Sequence, residues 1–110
     1  MTPLRMSQAV ILKTEDSTLH AVGERRHLMP WIPRRGESIS WAYHVVRDGQ
    51  CQERSLTLFV SLVTHEVGIG GEVQIALLME PFVETEQDAF EARILMLQST
   101  GFAVTLEADQ

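Results

Sequence analysis

Cysteine is almost absent from this chain: Cys51 stands alone. An intramolecular disulfide is therefore excluded, and nothing marks an oxidising compartment. Lysine is as scarce, with Lys13 set against eight arginines, a bias to which we attach no functional weight. Long apolar runs are missing too. Ala9-Val10-Ile11-Leu12 ends at Lys13, far short of the roughly 18–20 residues that a membrane span requires. The opening Met1-Thr2-Pro3-Leu4-Arg5-Met6 does not lead into an apolar segment of signal-peptide length. These absences describe a cytoplasmic protein without a membrane partner. There is no internal repeat and no low-complexity segment.

What is present is ordinary in amount and uneven in placement. The chain of 110 residues is 45% apolar and 22% charged, which fits one domain over 1–110 able to bury a core unaided. Residues 1–65 carry a balance of +2, and residues 66–110 a balance of −8, giving −6 in all. Four arginines crowd the stretch Arg25-Arg26-His27-Leu28-Met29-Pro30-Trp31-Ile32-Pro33-Arg34-Arg35. Polarity of this kind bears on partners rather than on folding.

Strand-like alternation dominates to about residue 80. Residues 8–14 and 18–22 read as a hairpin around the turn Glu15-Asp16-Ser17. Residues 24–37, with two prolines and a glycine, read as a long exposed connection. Ile39, Trp41, Tyr43 and Val45 then alternate with Ser38, Ser40, Ala42 and His44, and Asp48-Gly49 marks a turn. The next strand, about 53–67, is expected to bury Leu56, Leu58, Val60 and Leu62. It is long and partly two-sided, which predicts a bend or cover on both faces. Gly68-Ile69-Gly70-Gly71 closes a third strand, 72–79, burying Val73, Ile75, Leu77 and Met79.

Pro81 stops that strand. Thr85-Glu86-Gln87-Asp88 predicts a helix capped by Thr85 and running to about Ser99, with Gly101 ending it. Ala89, Phe90, Ile94 and Leu97 form its apolar side, edged by Met96. Arg93 breaks that side and reads as a packed stem whose guanidinium snorkels or pairs with a carboxylate. Leu95 falls on the polar side, an exposed leucine or a partner contact. Phe102, Val104 and Leu106 predict a short last strand, and Glu107-Ala108-Asp109-Gln110 a frayed tail. The fold class expected is α+β: an antiparallel sheet of about six strands, curling toward a barrel, with one C-terminal helix and a final short strand.

No catalytic set stands out. His20, His27, His44 and His65 are widely spaced and form no metal-ligand motif, although His44 and His65 lie on strands that can neighbour each other. Cys51 reads as an incidental thiol at a loop tip, and no serine sits in a glycine-flanked elbow. Gly68-Ile69-Gly70-Gly71 lacks the Lys-Ser/Thr of a phosphate loop. No cofactor and no metal are expected.

The remaining candidates are binding residues. Arg25, Arg26, Arg34, Arg35 and Trp31 combine bidentate cations with an aromatic anchor on a segment stiffened by proline. Glu84, Asp88 and Glu91 supply an acidic helix region, and Leu95 an exposed apolar contact. The leading expectation is a small non-enzymatic protein-interaction module that self-associates, for instance as a homodimer. The alternative is an acidic inhibitor or regulator that imitates phosphate charge toward a basic nucleic-acid-binding protein. A third reading, direct nucleic-acid binding through the Arg/Trp segment, is opposed by the net charge of −6.

Overall fold

The computed structural model describes residues 4–107, so the expected frayed tail beyond Glu107 lies outside them. Period-2 alternation builds most of what it contains. β1 (Leu4–Thr14) turns Met6, Gln8, Val10, Leu12 and Thr14 inward. β2 (His20–Met29) runs antiparallel to it, with Val10 opposite Gly23 and Gln8 opposite Arg25. The turn between them is held by Asp16, whose carboxylate accepts from Thr14 Oγ1 at 2.7 Å, Thr18 Oγ1 at 2.8 Å and Thr18 N at 3.1 Å. Those donors hold the Asp16 carboxyl below the usual carboxylate range.

The expected loop over 24–37 is corrected here. β2 continues through Met29, and only 30–37 is irregular. Alternation does persist through this stretch, but its inward positions are occupied by Arg25 and His27 rather than by apolar residues. Pro30 then stops the strand, since it offers no ladder N–H and fixes its own φ.

β3 (Ser38–Arg47) and β4 (Gln50–Val67) form a long antiparallel hairpin, and β5 (Val73–Met79) returns along the far half of β4. β4 is 18 residues long and changes partner along its length: Gln50–Phe59 pairs with β3 and Val60–Val67 with β5. A register shift between Val60 and Leu62 marks the change. One extra residue inverts the side-chain phase. Leu56, Leu58 and Val60 point inward, but Leu62 is 53% exposed and Val63 takes the inward role, contrary to the expected burial of Leu62. Val73, also expected inside, is exposed.

The sheet is mixed, not antiparallel, and it does not close into a barrel. β5 runs parallel to β1, with Met6 opposite Ile75 and Ala9 opposite Leu78. After the interruption at Glu80-Pro81, β6 (Phe82–Glu84) resumes the parallel course beside Leu12–Thr14. Pro81 thus breaks the ladder without ending it, which adds a seventh strand to the expected six. The strand order is β3-β4-β5-β1-β2-β7, leaving β3 and β7 as edges.

α1 (Gln87–Ser99) follows, and β7 (Ala103–Glu107) pairs with the first half of β2. The N-cap is Glu86 rather than Thr85, and no side chain caps the helix. The C-terminus matches expectation closely. Gly101, at φ +95°, donates to Gln98 O at 3.1 Å, and Phe102 N donates to Leu97 O at 3.0 Å. This Schellman closure requires a left-handed residue, and glycine enters that region without strain. It also buries Phe102 beside Leu97.

A single core joins the elements. α1 covers the Val10, Leu12, Ala21 and Gly23 end of the inner sheet face, and the β3–β4 hairpin bends over the Gln8, Arg25 and His27 end. The opposite sheet face carries Ser7, Ala9, Ile11, Val22, Glu24 and Arg26, all exposed or half-buried.

Candidate functional site: an arginine–tryptophan cleft

The site forms where β2 passes under β3. Strand alternation sends Arg25 and His27 to the inner face, while Arg26 and Leu28 go to the outer one. Trp41 of β3 lands on both inward residues. Arg25 Cζ lies 3.8 Å from the centroid of the Trp41 ring, and the His27 ring meets Trp41 edge-on at 5.1 Å and 86°.

Gln8 ties the group to the central strand. The indole N–H of Trp41 donates to Gln8 Oε1 at 3.3 Å, and Gln8 Nε2 lies 3.2 Å from His27 Nε2. Indole nitrogen is donor-only, so Gln8 Oε1 must accept and its amide nitrogen donates to His27. That assignment makes His27 Nε2 an acceptor and puts the imidazole proton on Nδ1. Nδ1 is buried and has no hydrogen-bond partner among the described residues. Burial, and then the neighbouring Arg25 cation, pushes the His27 pKa below 6.5 and keeps the ring neutral.

Arg25 has no anionic partner among the described residues. No carboxylate among the described residues lies within 4.0 Å of its guanidinium. Burial lowers its pKa from the ordinary arginine value. Gly101, just past the helix, leaves it room: a Cβ there would stand 2.8 Å from Nη1. Arg25, His27 and Trp41 open onto a cleft of about 520 Å³, walled by Met29, Trp31, Pro33 and Ile39. Both tryptophans of the chain line it.

The other residues singled out from sequence are dispersed. Arg26 is on the outer face and exposed, and Arg34 and Arg35 are exposed on the 30–37 loop. Trp31, 59% exposed, shares the cleft with Arg25. Glu84 is drawn away from the acidic group, since its Oε1 accepts from Arg93 Nε at 3.1 Å while the Arg93 guanidinium caps the Phe82 ring at 4.3 Å. Arg93 therefore packs and pairs, as its position on the helix suggested. Asp88 and Glu91 remain exposed, and Leu95 is 64% exposed.

His44 pairs with Glu53 and His65 with Ile75, so the two histidines are not cross-strand partners. Among the described residues no group of three or more His, Cys, Asp and Glu side chains is placed to hold a metal ion. Cys51 is exposed on β4, opposite Val46, rather than at the loop tip. No helix among the described residues is long and apolar enough to cross a membrane.

Sequence reading located Arg25 and Trp31 but missed Trp41, Gln8 and Gly101 as their companions. The signal was present in part: Ala21, Gly23, Arg25, His27 and Met29 keep period 2, with polar groups in core positions. No family model, curated protein or solved structure matches the chain.

Proposed function

We propose that the protein is a non-enzymatic interaction module that associates with a second copy of itself along the open edge of β3. The observation that carries this reading is the outer half of the β3–β4 hairpin. Residues 50–55 are exposed throughout, Val46 across from Cys51 is 72% exposed, and β3 pairs on one side only. An unpaired strand edge is a template for another strand. Antiparallel pairing about a two-fold axis through the middle of β3 is self-complementary, and it brings Glu37 of one copy toward Arg47 of the other. The alternative contact, exposed Arg34 and Arg35 of one copy on Asp88 and Glu91 of the next, joins two different surfaces and builds open chains unless its rotation closes.

Phosphate mimicry has less support, because Glu84 is engaged by Arg93, which leaves Glu86, Asp88 and Glu91 as the exposed carboxylates of that stretch. The same reading puts the protein in a reducing cytoplasm, where the exposed Cys51 thiol stays single. Light scattering tests association: a mass near twice 12.4 kDa at high micromolar concentration, reverting to the monomer in Val46→Lys, is the expected result. A wild-type protein that stays monomeric throughout overturns it.

A further inference from the structure

We infer that the cleft between β2 and the 30–37 loop is a binding site for a small apolar carboxylic acid, with Arg25 as the anchor for its carboxylate. Self-association at the β3 edge is a separate matter.

Charge is the first argument. A half-buried guanidinium with no carboxylate within 4.0 Å among the described residues is free to take an anion. Its stack on Trp41 orients the plane of the fork before any ligand arrives, and Gly101 gives Nη1 room that a Cβ would take. A planar, preorganised fork matches the two oxygens of a carboxylate.

The second argument is the wall. Met29, Trp31, Pro33 and Ile39 surround the opening with apolar surface, and about 520 Å³ falls within the range of small-molecule sites. A single cation set beside these apolar residues favours an acid with a hydrocarbon or aromatic body over an inorganic anion. Glu37 also borders the cleft; its Oε1 accepts the backbone N–H of Arg34 at 2.6 Å, which holds that oxygen against the loop while the carboxylate keeps its charge. Proline at positions 30 and 33 limits the ordering cost of closing the loop on a ligand.

The test uses the cleft's own tryptophans. Titration with 4-phenylbutyrate, followed by intrinsic fluorescence, should give a saturable change. The neutral 4-phenylbutyramide, alike in shape, should bind at least ~10-fold more weakly. Arg25→Met should lose a similar factor, with its fold checked by far-ultraviolet circular dichroism. Trp31→Ala, a change at an exposed loop position, should weaken binding by roughly 5-fold through lost apolar contact. If Arg25→Met fails to fold, the comparison of acid with amide on the native protein and the Trp31→Ala titration decide the matter. Equal binding of acid and amide, undiminished binding by a folded Arg25→Met, or no saturable change with the acid overturns the assignment.

Discussion

His27 shows how a single side chain becomes a stability switch by being buried. Its folded-state pKa lies below the ordinary 6.5, so the unfolded chain takes up a proton at higher pH than the native protein does. The stability that depends on the neutral ring is present above about pH 6.5 and is lost as pH falls through the window between the unfolded and folded values. The melting temperature should therefore drop as pH falls through and below about 6.5. His27→Gln should flatten that limb in scanning calorimetry; an unchanged slope would remove the assignment. Gly23 makes a second test at this scale. A Cβ there would meet Val10 Cγ1 at 3.2 Å, so fully buried Val10 must give by a few tenths of an ångström, while Leu97 and Phe102 at 3.6 and 3.7 Å stay in ordinary contact. Gly23→Ala should destabilise by about 1–3 kcal/mol in urea unfolding, as overpacking does.

At the scale of elements, the helix C-terminus and the cleft share one residue. Gly101 closes α1 in a left-handed conformation and simultaneously leaves room for Arg25. Gly101→Ala should therefore have two effects: a loss of about 1 kcal/mol or more from the strained cap, and a change in Trp41 emission as Arg25 shifts on the indole. A loss of stability with an unaltered emission spectrum would separate the two roles. The bulge at Val60/Leu62 is the other decisive element. At this register shift β4 passes from β3 to β5 as partner, while Trp41 of β3 lies over Arg25 of β2. Without the shift, the alternation of Leu56, Leu58 and Val60 would run on to Leu62.

At the scale of the whole molecule, the β3–β4 arm sets the dimensions. The radius of gyration is 15.5 Å, against about 13 Å for a compact domain of this length. Extent, open edge and divided charge all concern association. Pairing along β3 rests mainly on backbone hydrogen bonds and apolar contact, so its midpoint should move little with salt. A contact between the Arg34–Arg35 loop and the Asp88–Glu91 helix face should weaken steeply instead. Sedimentation across low and high ionic strength distinguishes them, and a steep loss with salt would favour the helix contact over the β3 edge.

Sequence by itself determined the parts governed by neighbours along the chain. Alternation at Ile39–Val45, the turn at Asp48-Gly49, the apolar side of α1 and the Gly101 stop are all legible, because each depends on local φ/ψ preference or on a periodic face. Tertiary structure alone decided the parallel pairing of β1 with β5 and β6, the phase change at the bulge, and the dispersal of the arginines. Those depend on strands distant in sequence, and a parallel ladder leaves no turn to announce it. The cluster from Arg25 to Arg35 looked like one basic loop because its residues are consecutive. A strand alternates its side chains, so Arg25 was turned inward to meet Trp41 and Arg26 outward to solvent. What makes Arg25 a candidate anchor is not the charge of its sequence neighbours but that no carboxylate among the described residues lies beside it in space.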